Sequence, residues 1–219
     1  MDGQKPQPGR PRKRNGASGE SSRLALLAAA RDAFASRGLE GARVDDIARR
    51  AGINKQLVYH YFGSKDGLYT AVLEEVYREI REREQALELS SLPAEAAMRR
   101  LVEFSFDYLA QHPDFVSLLA DENAHGGRHL QHSAQVEEMN RPIIDLLRDT
   151  LARGTAEGVF RTGLDPLHIY LSIAGMAFFY FANIHTLSRI FSRPLQSPGA
   201  VAERRARIVE FTLDAIRAR

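Results

Sequence analysis

Cysteine is absent from this 219-residue chain. Disulfides and thiolate metal sites are thereby excluded, so the fold must rest on side-chain packing alone, which suits a reducing cytoplasm. No apolar stretch follows the basic opening MDGQKPQPGRPRKR, so a secretory signal is not expected. Strand-period alternation of apolar and polar residues never runs to a useful length, and no internal repeat is visible, which predicts an all-α architecture. A Gly-rich phosphate loop, a nucleophile elbow and a cysteine nucleophile are all missing, and the His and carboxylate residues show no strong catalytic spacing. An enzyme is therefore not expected, nor is a cofactor or a bound metal.

What the chain does have is charge of one sign at one end. The net charge is only +2, but residues 1–70 hold 13 Lys or Arg against 7 Asp or Glu, while residues 71–219 hold 17 against 21. Phosphate contacts need a local rather than a global excess of positive charge, so this asymmetry is what a polyanion-binding module joined to an acidic domain would show. A solvated basic tail is the plainer alternative. Residues 1–19 lack apolar periodicity and carry Lys5, Arg10, Arg12, Lys13 and Arg14 among Gly, Pro and Ser, which predicts a disordered basic arm suited to phosphate or minor-groove contact.

From about residue 20 helical periodicity begins. Leu24, Leu27, Ala28 and Phe34 mark a first helix that Gly38 stops. Val44, Ile47 and Ala48 mark a second helix of about two turns, broken at Ala51-Gly52. A third runs from Lys55 to Tyr61 with Asn54 as its cap, and Gly63-Ser64 breaks it. A long linking helix follows over 65–87, with Leu68, Val72, Val76 and Ile80 inward and Glu and Arg outward. Pro and Gly punctuation divides the rest into helices over 94–111, 113–124, 128–157, 166–191 and 199–217, about nine in all, and Pro142 is expected to kink or split the third of these.

Three short helices, the second and third separated by a tight turn at Gly52, fit the helix-turn-helix plan. Leu57, Tyr61 and Phe62 flank a surface that offers Lys55, Gln56, Tyr59 and His60. Lys and Gln can bond base edges or phosphate, Tyr and His can donate to phosphate, and Lys65 opens the next helix within reach of a DNA backbone.

These residues carry a resemblance. Phe34, Gly38, Gly41, the run Val44 to Ala48, Ala51-Gly52, the run Tyr59 to Phe62, Ser64-Lys65 and Leu68 resemble the signature of the TetR family of regulators. The resemblance implies a homodimer on operator DNA, with a helix-turn-helix domain over 20–66 and a variable ligand-binding and dimerisation domain over 67–219. Its last two helices, 166–191 and 199–217, would form the dimer interface, and positions matching Lys55, Gln56, Tyr59, His60 and Lys65 would touch DNA. The chain departs from the family at Arg43, where Thr or Ser usually caps the second helix; Arg can meet phosphate but cannot cap, leaving that helix start to Asp45, Asp46 or water. It departs again at Leu57, either an apolar contact to a thymine methyl or a packing residue.

The stretch 167–188 has no charged residue and is long enough to span a bilayer, but His168, Asn183 and His185 argue for a helix buried on both sides instead. Tyr170, Ala174, Ala177, Phe178, Phe181 and His185 share one face; Met176, Phe179, Tyr180, Asn183 and Leu187 lie on another. By resemblance the domain interior holds a small-molecule effector, with Phe104, Tyr108, Asn123, Phe178 and Phe181 as candidate contacts or plain core. His125, His129 and His132 lie near Asp121 and Glu122, where a metal, a polar ligand pocket and a solvated or capped helix end are all open readings. A helical adaptor or an enzyme without DNA binding is the competing class of function.

Overall fold

The computed structural model describes residues 15–131 and 133–218, with side chains from Gly19 onward. The arm over 1–14 and His132, on which the sequence places expectations, lie outside the described residues. Among those described there are nine α-helices and no strand. They are α1 (Asn15–Gly41), α2 (Val44–Ala51), α3 (Lys55–Phe62), α4 (Lys65–Gln85), α5 (Ala94–Gln111), α6 (Pro113–Ala124), α7 (Ala134–Ala156), α8 (Pro166–Ile190) and α9 (Pro198–Ile216), with a single 3₁₀ turn at Leu89–Ser91.

Helix α1 starts inside the stretch expected to be an unstructured arm. Gly19 explains part of this: a Cβ built there would lie 3.4 Å from the Tyr61 hydroxyl, so the first turns run alongside α3 at close range. Leu26, Ala30 and Phe34 follow at helical spacing and are fully buried, Phe34 meeting Tyr69 of α4 edge to face with centroids 5.0 Å apart. Burial of a side chain of this size contributes about 2–3 kcal/mol. Gly38, at φ 68°, ends the regular helix as its position predicts.

Helices α2, α3 and α4 are set at their ends by local chemistry. Asn54 accepts from the Gln56 amide to start α3, and Ser64 accepts from the Gly67 amide at 2.9 Å to start α4. A Cβ on Gly67 would stand 2.1 Å from the Phe62 carbonyl oxygen, so only glycine lets α4 leave α3 this closely. Along α4, Leu68, Val72, Val76 and Ile80 are buried, as their spacing predicts.

In the second half α5 and α6 match their expected spans, because Pro113 supplies a fixed N1 position and ends α5 just ahead of it. Helix α7 begins at Ala134 instead of about residue 128. Both Gly126 and Gly127 have positive φ, and a Glu122 carboxylate oxygen accepts the amides of His129 (2.7 Å) and Leu130 (3.2 Å), which holds the segment in turns until Ser133 caps the helix. Pro142 does not split α7. It sits on the exposed side with Glu138, whose carbonyl can bond water in place of the missing amide.

Helix α8 is the largest departure from expectation. It is long and apolar enough, by length and composition, to cross a bilayer, yet in the single chain only Ile173, Ala177 and Tyr180 are buried. Tyr180 therefore does not share a face with Phe179: it donates to the Leu195 carbonyl at 2.7 Å and packs beside Phe181 and Phe106, whereas Phe179 stays 58% exposed. Helix α9 closes on α5 through Arg205, which bonds Asp107 at 2.8 Å with both Nε and Nη2.

Candidate nucleic-acid interface and effector domain

The interface builds up from α3, which is anchored by Val58, fully buried, with Ile53, Tyr61 and Phe62 packed around the same core. The sequence reading named Tyr61 and Phe62 but missed Val58, the residue whose position fixes which face turns out. With Val58 inward, Lys55, Gln56, Tyr59 and His60 are exposed, Tyr59 at 46%, and Leu57 is half-buried. Arg43 is exposed at the α2 N-cap and makes no side-chain capping bond there. The first-turn carboxylates of α2 do not cap it either: Asp45 pairs with Lys55 at 2.7 Å, and Asp46 with Arg37 and Arg49. They face the positive end of the helix dipole, where negative charge is favoured. Lys65 is partly buried, its ammonium donating to the Glu40 carbonyl at 3.3 Å, so it closes the turn after α1 while lying beside α3. The hydrogen bond and the charge of Asp45 raise the Lys55 pKa, so the amine stays cationic.

Polar contacts through Arg31, Asp121 and His129 tie this head to the rest of the chain. Arg31 of α1 bonds Glu79 of α4 at 2.8 Å and also Asp114 of α6. Asp121 of α6 accepts from the Leu39 amide and from the Tyr69 hydroxyl, both at 2.9 Å. A Cβ on Gly38 would stand 2.7 Å from its other oxygen, a second reason for glycine at this positive φ. Finally, the His129 ring bridges Glu122 at 2.6 Å and Asp66, in the first turn of α4, at 3.1 Å, with its edge against Tyr69. The His129 hydrogen bond holds the Asp66 carboxyl below the usual range, against a small opposing effect of burial.

The histidine cluster thus resolves into a fastening. His129 joins two carboxylates, and His125 Nδ1 lies 2.7 Å from the Asp121 carbonyl at the end of α6. Among the described residues no three potential metal ligands converge.

In the second half the expected effector contacts scatter. Phe104 and Tyr108 lie tilted against each other on α5, Phe181 packs on Phe106 at 4.8 Å, and Phe178 is half-buried. Tyr108 stacks on His112, and its buried hydroxyl has no partner among the described residues. Asn123 is not interior: it is exposed and bonds the Leu119 carbonyl, one turn back on α6. The sequence reading also put every Glu and Arg of α4 outward, and this is corrected. Arg81 and Glu84 are buried, at 5% and 4% exposure, paired with each other at i, i+3; Arg81 also donates to the Tyr170 hydroxyl of α8 at 3.1 Å. Tyr77, Ile80, Arg81 and Glu84 continue the apolar stripe of α4 at spacings of three and four, a signal that was available. Burial pushes the Glu84 carboxyl up to about 7, Arg81 opposing. The Arg81 Nε is buried without a partner among the described residues, an arrangement that costs about 1–3 kcal/mol.

Residues 26–72 match the family model for bacterial regulatory proteins of the tetR family, and residues 93–212 match that for the tetracyclin repressor-like C-terminal domain. Among curated proteins, the HTH-type transcriptional repressor NicS of Pseudomonas putida is 36% identical over 192 residues, 88% of this chain and 91% of that protein. Among solved structures, the ketosteroid transcriptional regulator KstR2 of Mycobacterium tuberculosis aligns with a TM-score of 0.65 and 25% identity, covering 90% of this chain and 95% of that one. FadR of Bacillus subtilis, solved in complex with stearoyl-CoA, shares the fold at a TM-score of 0.66 and 18% identity, covering 88% and 98%. Helix-turn-helix head, long connecting helix and helical second domain accordingly have one explanation: the chain belongs to the tetR family of bacterial regulatory proteins and is a DNA-binding regulator of transcription.

Proposed function

We propose that this protein is a cytoplasmic homodimeric repressor that reads a partly palindromic operator and is released from it by a small-molecule effector. The observation that carries the reading is the outward face of α3, where Lys55, Gln56, Tyr59 and His60 stand exposed around the buried Val58. Residues 20–66 form the DNA-binding domain and 67–219 the effector and dimerisation domain. Gln56 and Leu57 reach base edges; Arg43, Lys55, Tyr59, His60 and Lys65 meet phosphate. NicS, a transcriptional repressor by name, supports repression as the output. The second copy docks on α8 and α9, where Leu167, Leu171, Phe179 and Phe211 are exposed; burial against that copy accounts for α8 without a membrane.

Effector binding favours a subunit arrangement whose two α3 helices no longer match successive major grooves, so operator affinity falls. Phe104, Tyr108, Phe178 and Phe181 contribute apolar wall to the effector domain.

The test is a gel-shift titration on the DNA flanking the protein's own gene. The wild type is expected to bind at low salt and Tyr59→Ala/Lys65→Ala to bind about 10–100-fold more weakly, in line with the loss of two such contacts. Because Lys65 also bonds Glu40, the double variant's melting temperature is measured alongside. Unchanged operator affinity in a folded double variant would refute the groove-facing assignment of α3.

A further inference from the structure

Helix α4 carries a buried charge pair that takes no part in the DNA-binding head or in the His129 bridge. Arg81 bonds Glu84 and the Tyr170 hydroxyl, and its guanidinium lies 5.7 Å from the Tyr170 ring centroid. Its Nε has no partner among the described residues. With Gln85, Arg81 and Glu84 line a crevice of about 20 Å³ whose opposite wall is Met139, Pro142, Ile143 and Leu146 of α7. A buried ion pair is seldom the most stable filling of such a place, because apolar residues of like volume often do better. An arginine with a free donor, apolar walls and a neighbouring aromatic ring is instead a prepared seat for an anion.

We propose that Arg81 is the anchor of the effector site and that the ligand is an organic carboxylate with an apolar or aromatic body, which binds the guanidinium in place of Glu84. The proposal rests on the effector-released reading above and names the chemistry of its ligand. The crevice has room for about one water, so the ligand must part α7 from α4 to enter. That places its effect on the helix that leads to the DNA head: Lys65, the first residue of α4, stands sixteen residues before Arg81, about 24 Å along the axis.

Charge balance specifies a proton. With Arg81 cationic and Glu84 ionised, a bound carboxylate would leave one uncompensated negative charge in a buried site. Glu84 therefore takes a proton from solvent as the ligand binds, a change that its raised pKa of about 7 makes inexpensive. Among the described residues the groups near it are Arg81 on its own helix, the Tyr170 hydroxyl on α8 beyond Arg81, Tyr77 one turn before Arg81 on α4, and the four uncharged residues of the α7 crevice wall.

The experiment is isothermal titration calorimetry on the full-length protein with benzoate and octanoate, and with benzamide as the uncharged control. At pH 8 at least one carboxylate is expected to bind the wild type with uptake of about one proton, read from two buffers of different ionisation enthalpy, and benzamide at least tenfold more weakly. Glu84→Gln should bind the carboxylate at least tenfold more tightly, with no proton uptake. Arg81→Met/Glu84→Leu, which replaces the pair by apolar residues and should keep the fold, should not bind it. Carboxylate binding that survives in this double variant, equal affinity for benzamide, or no carboxylate binding by wild type and Glu84→Gln alike would each overturn the assignment. Operator binding is measured on the same preparation; its absence in unliganded wild type would sink the regulator reading, while the calorimetry still decides the site.

Discussion

The α3 surface and the α8–α9 surface are incomplete in opposite ways. On α3 the apolar residues are inside and the outer face is Lys55, Gln56, Tyr59 and His60. On α8 and α9 the large apolar side chains are outside, with Phe179 and Phe211 at 58% and 66% exposure. A hydrated polar face needs no cover, and its use is to exchange counterions for a polyanion. Exposed aromatics on one side of two neighbouring helices lose free energy to water until something apolar covers them. Under the proposed function the two surfaces take partners of matching chemistry: duplex DNA for the first and a second copy for the second.

The largest effect is expected where the second surface is broken. Phe179→Glu/Phe211→Glu puts charge on both helices of the face without touching the buried residues Ile173, Tyr180, Ile208 or Leu213. Sedimentation should show the variant as a monomer. Its operator affinity should fall by about 10²–10³-fold although α3 is unchanged, because two linked heads bind a two-part site far more tightly than either does alone. A monomer with full affinity would break the link between the surfaces, and an unaltered dimer would place the interface elsewhere.

A smaller effect is expected when the first surface is altered alone. Gln56 has no side-chain partner among the described residues and lies on the exposed face; its backbone N–H is the group that donates to Asn54. Gln56→Ala should leave the oligomeric state and the melting temperature unchanged and should cost about 1–3 kcal/mol on the preferred operator. Binding to operators changed at one pair of symmetric positions should fall less. A uniform loss across all sequences would make Gln56 a phosphate contact.

How much of this was legible in the sequence follows from how local each cause is. Asn54, Gly63 and Ser64 act on their own helix ends, so α3 and its neighbours could be read directly, as could the division between α5 and α6 at Pro113. The start of α7 could not, since it depends on Glu122 reaching forward to the amides of His129 and Leu130. Nor could the faces of α8: a helix apolar nearly all round carries no periodic signal, and the position of Tyr180 is fixed by the Leu195 carbonyl in the next loop. Arg81 and Glu84 failed for another reason. Their spacing continues the apolar stripe of α4, but residue type points outward, and the contact of Arg81 with Tyr170 on a distant helix is what favours the inward face.

The smallest effect tests how the head is held between the two surfaces. Asp66 has its pKa lowered chiefly by the His129 hydrogen bond, so its folded pKa lies below its unfolded one. A group of this kind adds stability above the unfolded value, near 4, and loses it as pH falls through the folded value. Because the Asp66 side chain is 63% exposed, solvent screening limits the contribution to about half a kcal/mol. Urea unfolding of the wild type should therefore weaken slightly more steeply below pH 4 than that of Asp66→Asn, and the two curves should run parallel above pH 5. His129→Gln should remove the same acid-limb difference, because the partner that lowers the carboxyl is gone. If the three proteins lose stability in step below pH 4, the bridge adds nothing in solution and the head is held to α6 by Arg31, Asp121 and apolar packing.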